Sequence, residues 1–292
     1  MCGRVWLPTD FSEIKIRMKF DDQFAAPNFA PSWNIAPTQQ MLTTVLDPVT
    51  KTRRPVTMRW GLIPSWAKDE KIGVSLFNAR ADTISEKAAF RGAWKAGRRC
   101  LIVTDGFYEW RKKGDKQPFA IARANDQLTV MAGLWEEWKS PAGETIRSCV
   151  VITTEANQLI APLHDRMPVI LAEEDWPAWL GEIPATDAEL KALLKPFPSD
   201  RMKLWPVNRG VGNWRNNGPQ LIEPITPREG RFMQPPLGAN EALAYVVGAE
   251  GEPAMIPESE YRAAGIEPPF ETLPTLDDCE TAEEAKGTDT LD

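Results

Sequence analysis

The chain has 292 residues, 42% hydrophobic and 26% charged, enough for one large domain or two small ones around a sizeable core. No apolar run approaches the roughly 20 residues of a membrane span, and the Met-Cys-Gly-Arg-Val start lacks the features of a secretory signal. Membrane insertion is therefore excluded, and a cytoplasmic, reducing location is expected. The net charge of −7 misleads as a mean: from Arg231 onward there are 3 basic and 14 acidic residues, against 31 and 27 before it, so a mildly basic body carries an acidic tail.

After Pro8, Thr9 or Ser12 is placed to cap a short helix bearing Ile14, Ile16 and Met18. Short β-branched and aromatic runs at 41–60, 100–105, 117–123, 128–135 and 146–154 alternate with turn signals such as Lys113-Gly114-Asp115 and Pro141-Ala142-Gly143. They predict mostly antiparallel strands. A further strand is expected at 169–171, and helices at 85–95, 173–181 and 187–195, the last capped by Asp187. The sum is an α+β domain with a β core. Beyond Pro227 the chain turns rich in Pro, Glu, Gly and Ala, so a domain over 1–230 and an acidic, largely mobile extension over 231–292 are expected. Within that extension, 242–247 and 259–264 retain patterns for a strand and a helix.

Four cysteines, at 2, 100, 149 and 279, form no C-x-x-C pair, and there is a single histidine. That composition argues against a zinc site or a disulfide framework, and neither metal nor cofactor is expected. Cys100 and Cys149 suit buried positions. Cys2 differs, because removal of Met1 ahead of a small residue leaves a free α-amine and a thiol on adjacent carbons. With reference pKa values of about 8 and 8.5, both are available near neutrality. The amine attacks an aldehyde to give an imine, and the thiol closes a five-membered thiazolidine on it. The alternative is an incidental cysteine at a frayed terminus.

His164, in Leu-His-Asp-Arg-Met-Pro, suits a general acid or base, or a structural hydrogen bond. Glu109, in Asp-Gly-Phe-Tyr-Glu-Trp, sits between aromatics that would desolvate it and raise its pKa, unless it is exposed at a strand end. Asn78 and Arg80 are two residues apart, so on an extended segment they face the same way as a phosphate clamp; an Arg80–Asp82 pair is the alternative. Most of the twelve tryptophans must be core, with a few left to stack on bases of a single strand.

Seven segments occur in order: Cys-Gly-Arg at 2–4, Trp-Asn-Ile-Ala-Pro-Thr at 33–38, Trp-Gly-Leu-Ile-Pro-Ser-Trp at 60–66, Asn-Ala-Arg at 78–80, Asp-Gly-Phe-Tyr-Glu-Trp at 105–110, His-Asp-Arg-Met-Pro at 164–168, and Pro206-Val207-Asn208 to Gly212-Asn213. Over about residues 2–227 this series resembles the SRAP family, the SOS response-associated peptidase domains. The resemblance implies binding of single-stranded DNA containing an abasic site and trapping of its aldehyde on the N-terminal cysteine. It implies Cys2 as nucleophile, Glu109 as the proton-transfer residue, and His164 in sugar ring opening, β-elimination or reversal. Asn34, Asn78 and Arg80 would line the site, with Arg4, Thr153 and Arg166 as further backbone contacts. Trp66 would be the stacking wedge, unaided because Ala67 follows it where some members have a second aromatic. A monomer is expected. Two other functions compete: a peptidase using Cys2 as N-terminal nucleophile, and a non-covalent single-strand binder.

Overall fold

The computed structural model describes residues 2–112, 114, 116–225, 243–247 and 253–257. Its elements in chain order are β1 (Val5–Leu7), α1 (Phe11–Met18), β2 (Ser32–Ile35), β3 (Gln40–Leu46), β4 (Arg53–Trp60), β5 (Asn78–Arg80), α2 (Arg91–Lys95), β6 (Arg99–Thr104), β7 (Gly106–Trp110), β8 (Pro118–Arg123), β9 (Thr129–Lys139), β10 (Thr145–Glu155), β11 (Arg166–Pro168), α3 (Trp176–Leu180), α4 (Asp187–Ala192), β12 (Met202–Pro206), β13 (Leu243–Val247) and β14 (Pro253–Pro257). The fold is α+β with a mainly antiparallel β core, as the sequence predicts.

One sheet closes on itself as β4–β3–β6–β9–β10, with β10 returning to β4 through a short parallel contact of Ser148 and Cys149 with Arg59 and Trp60. Its strands are covered on both faces: Leu42, Leu101, Ile102, Val130, Leu134, Val150 and Ile152 are all fully enclosed. Each such side chain contributes roughly 1.5–3 kcal/mol by leaving water, so this barrel is the main source of stability. The second half of β10 runs on to pair with β5 in parallel and β11 antiparallel.

The other sheet has the order β12–β8–β7–β1–β2. It places the N-terminus: β1 pairs antiparallel with β7 (Val5 with Phe107, Trp6 with Gly106), and the Tyr108 amide donates to the Arg4 carbonyl. Continuing that register sets Gly3 opposite Glu109, beside Cys2. Gly106 permits the pairing, because a Cβ there would lie 2.2 Å from the Trp6 ring.

Several local expectations change. Asp10, not Thr9 or Ser12, caps α1 by accepting from the Ser12 amide, while Thr9 is held by Asp105. Thr186 rather than Asp187 caps α4, in a reciprocal capping box with Glu189; Asp187 instead accepts from Trp94 Nε1. The helix expected over 85–95 is α-helical only at Arg91–Lys95, preceded by turns in which Glu86 and Phe90 donate to carbonyls three residues earlier. The strand expected at 169–171 lies earlier, at Arg166–Pro168, where the end of β10 pairs with it; 169–171 itself holds only an isolated bridge of Ile170 to Met131, flanked by backbone bonds of Val169 and Leu171 to β9. The short strands β1, β2, β5, β7 and β12 were not predicted, being too brief for an alternation signal.

No helix among the described residues is long and apolar enough to cross a membrane. Of the C-terminal extension, the antiparallel pair β13–β14 is described, and it includes the strand pattern expected at 242–247. The helix pattern at 259–264 and Cys279 lie outside the described residues, as do Lys113 and Asp115 of the expected turn.

Candidate functional site

The N-terminal segment crosses from one sheet to the other. Cys2 is fully buried, and its backbone carbonyl accepts a 2.6 Å hydrogen bond from Asn78 Nδ2 at the start of β5. Asn78 Oδ1 is buried with no partner, an unsatisfied acceptor of the kind found where a ligand group belongs. Burial pushes the Cys2 thiol up, and the Glu109 carboxylate adds to the shift.

Glu109 is 4% exposed on β7, and burial raises its carboxyl pKa against the pull of the positive chain terminus. It is a strand residue, not the exposed strand end that was the alternative reading. Glu109 acts electrostatically on the Cys2 thiol, and the Lys112 charge acts on both Glu109 and His164, which sets the three groups in one electrostatic neighbourhood.

His164 reaches them through a backbone tie, since Lys112, just beyond β7, donates its amide to the Leu163 carbonyl. The imidazole Nδ1 accepts from the Arg166 amide at 3.0 Å, which assigns its proton to Nε2 in the neutral ring. Asp165 Oδ1 lies 2.8 Å from the same Nδ1. Protonation would turn Nδ1 towards Asp165 but break the Arg166 bond. Burial, then the positive terminus and Lys112, lower the His164 pKa to about 4, so the neutral form prevails at neutral pH.

Arg80 lies exposed on β5 and is paired with Asp82 at 2.5 Å, the alternative the spacing had left open. Arg166, on β11, faces it: its guanidinium binds the carbonyl and hydroxyl of Thr153, and burial followed by the Arg80 charge lowers its pKa. Two guanidiniums are thus held at one edge of the site.

Three expected contact residues take a different part. Asn34 is buried, its Oδ1 accepting from Arg4 and its Nδ2 donating to the carbonyls of Val211, Asn213 and Asn216. Arg4 donates to the carbonyls of Val211 and Gly212 as well. Both therefore clamp the 211–216 loop to the N-terminal strand. Thr153 is fully buried, its hydroxyl donating to the Ala79 carbonyl, so it positions Arg166. Trp66 is 59% exposed on the loop after β4, over a shallow depression lined also by Ala67, Lys68, Asp69 and Ile72.

Lys112 was missed from sequence. It ion-pairs with Asp165 and its charge acts on both Glu109 and His164. Nothing in a Trp-Arg-Lys-Lys-Gly run marks one lysine as special, because the link to His164 spans 52 residues and only the fold supplies it.

Residues 1–214 match the family model for SOS response associated peptidase, SRAP. The chain belongs to the SRAP family. A Bacillus subtilis relative named abasic site processing protein YoqW is 41% identical over 225 residues, covering 76% of this chain and 99% of its own length. The Xenopus tropicalis abasic site processing protein HMCES is 36% identical over 269 residues, covering 77% of this chain and 78% of that one. Among solved structures, a Bacteroides thetaiotaomicron protein shares the fold with a TM-score of 0.69 at 24% identity, over 77% of this chain and 100% of that one. A Bordetella bronchiseptica protein superposes with a TM-score of 0.61 at 27% identity, over 71% and 100% respectively. The SRAP match stops short of the acidic extension.

Proposed function

We propose that this SRAP protein processes abasic sites in single-stranded DNA by forming a covalent thiazolidine between Cys2 and the sugar aldehyde. The observation that carries the reading is the buried Glu109 carboxyl within electrostatic reach of Cys2, whose own carbonyl is gripped by Asn78. The names of the relatives at 41% and 36% identity supply the substrate class.

Removal of Met1 turns the Cys2 nitrogen into an α-amine. His164, neutral with its proton on Nε2, assists opening of the sugar hemiacetal: the C1′ hydroxyl loses its proton, the ring oxygen gains one, and the aldehyde is freed. The amine adds to that aldehyde to give a carbinolamine. Glu109, whose raised pKa keeps a share of it protonated, delivers a proton to the carbinolamine oxygen, which leaves as water, and the imine forms.

The thiol is held as S–H by burial. It adds its sulfur to the imine carbon as Glu109 takes the S–H proton, and the imine nitrogen is protonated in turn. Ring closure releases nothing further, so one water is lost overall. Asn78 fixes the Cys2 backbone, with its unpartnered Oδ1 available to the new amine. Arg80 and Arg166 hold the adjoining phosphates, and Trp66 stacks on a base. Reversal or β-elimination would use the same pair, Glu109 and His164. We assign this chemistry to residues 1–230 of a monomer acting on nucleoid DNA in the cytoplasm, with 231–292 as an appended acidic segment.

The test is intact-mass measurement of purified protein before and after incubation with single-stranded DNA bearing one abasic site. Loss of Met1 followed by a DNA-sized increment, minus one water and absent in Cys2→Ala, is expected. Retained Met1, or no adduct in either protein, would sink the reading. Cys2-dependent peptide release without DNA would favour a peptidase, and adduct-free binding unchanged in Cys2→Ala a plain single-strand binder.

A further inference from the structure

Of the twelve tryptophans, six are buried and four are partly covered; Trp66 and Trp214 alone are exposed, the latter at 49%. Trp214 belongs to no hydrophobic cluster. Its ring carries the Arg215 guanidinium, 4.6 Å from the ring centroid. Arg215 makes no ion pair with a described carboxylate, unlike the exposed Arg80, Arg147 and Arg54, which are matched by Asp82, Glu137 and Asp47. Beside the pair lies an open depression whose lining includes Asn208, Arg215, Asn216, Asn217 and Gln220, with no acid among its residues.

This loop is not loosely attached. Arg4 and Asn34 together hold the carbonyls of Val211, Gly212, Asn213 and Asn216. Asn217 Oδ1 accepts from the Trp33 amide, and Asn216 Nδ2 donates to the Gly210 carbonyl. An exposed aromatic on a fixed backbone therefore sits one arginine side chain away from residue 4, two residues beyond the proposed nucleophile.

Resting on the abasic-DNA reading above, we propose that the Trp214–Arg215 pair is a second contact for the single strand, where Trp214 stacks on a base flanking the reacting nucleotide and Arg215 meets its phosphate. Every nucleobase has a π-face, so such a platform tolerates any sequence. A guanidinium held over the ring by cation–π attraction can still turn its N–H donors to a phosphate. The amides around the depression offer neutral donors and acceptors to the same strand. The wedge proposed for Trp66 leaves the other flank of the strand without an aromatic platform, and Trp214 supplies one.

The experiment uses the full chain and measures anisotropy with labelled, intact single strands, together with crosslinking to abasic strands whose site lies near the 5′ end, near the 3′ end or centrally. Trp214→Ala is expected to weaken binding of a central-site strand about ten-fold, with Trp214→Phe close to wild type. Arg215→Ala should reduce the salt dependence by roughly one phosphate contact. The loss should appear with one flank only, and in the DNA concentration needed for half-maximal crosslinking rather than the rate at saturation. Binding by Trp214→Ala and Arg215→Ala within two-fold of wild type on both flanks would overturn the proposal and leave an ordinary surface tryptophan. If wild type forms no adduct, the function reading fails, while the intact-strand measurement still decides whether Trp214 contacts DNA.

Discussion

Cys2 and the pair Cys100 and Cys149 present one chemical group in one degree of burial, for all three are fully enclosed. Burial pushes the Cys149 thiol up to about 12 and the Cys2 thiol higher still. Thiol acidity therefore does not separate a reactive cysteine from an inert one here. Their neighbours do. Cys100 and Cys149 sit on β6 and β10 of the barrel, and Cys100 meets chiefly apolar side chains and the other thiol. Cys2 has Asn78 on its carbonyl, Glu109 within electrostatic reach and the chain start attached. In the proposed mechanism, reactivity at Cys2 therefore comes from a paired amine and a proton carrier, not from a ready-made thiolate of the usual low-pKa kind.

The sharpest break of that comparison is substitution at each thiol. Cys2→Ala is expected to abolish the denaturation-resistant adduct on a gel, whereas Cys149→Ala should retain it. An adduct surviving in Cys2→Ala would assign the chemistry elsewhere. Next in size, Glu109→Gln keeps the shape and removes the proton carrier. It should slow crosslinking about 10²–10⁴-fold in a quenched time course while leaving strand affinity within a few-fold.

Asn34→Ala probes the scaffold beneath the site. It removes the acceptor for Arg4 and the amide group that reaches three loop carbonyls, so thermal or urea unfolding should show a loss of roughly 2–3 kcal/mol. His164 gives a pH test. Its folded pKa is depressed to about 4 from the ordinary histidine value of about 6.5, so the unfolded chain binds more protons between those values. Stability from this group is complete above about pH 6.5 and falls as pH drops towards about 4. Urea titrations of His164→Asn between pH 7 and pH 4 should show a shallower decline than wild type. Smallest of all, Cys149→Ala should cost roughly 1–2 kcal/mol of stability through a cavity in the barrel wall, without changing the crosslinking rate.

Much of the β framework was legible. Runs at 41–60, 117–123 and 146–154 become strands because β-branched, aromatic and other apolar residues sustained over six or more positions between turn signals mark a strand strongly. The three-residue strands β1 and β5 carry no such signal, yet they hold Cys2 and Asn78 in place. Caps were also misassigned, since Asp10 and Thr186 compete with neighbours of similar chemistry and only the backbone angles choose between them.

The chain by itself determined the membership of the site: a cysteine at position 2, one histidine, a carboxylate among aromatics, and seven ordered segments matching one family. What side chains are chemically able to do is fixed by their identity and order. Tertiary structure decided which of them meet, and in what protonation state. The β1–β7 register brings Glu109 to the chain start, the Lys112–Leu163 bond carries His164 across, and burial sets both pKa shifts. It also turned Asn34, Arg4 and Thr153 from expected contacts into supports, because hydrogen bonds to buried carbonyls are satisfied only by a particular three-dimensional neighbour, and no spacing along a sequence encodes that neighbour.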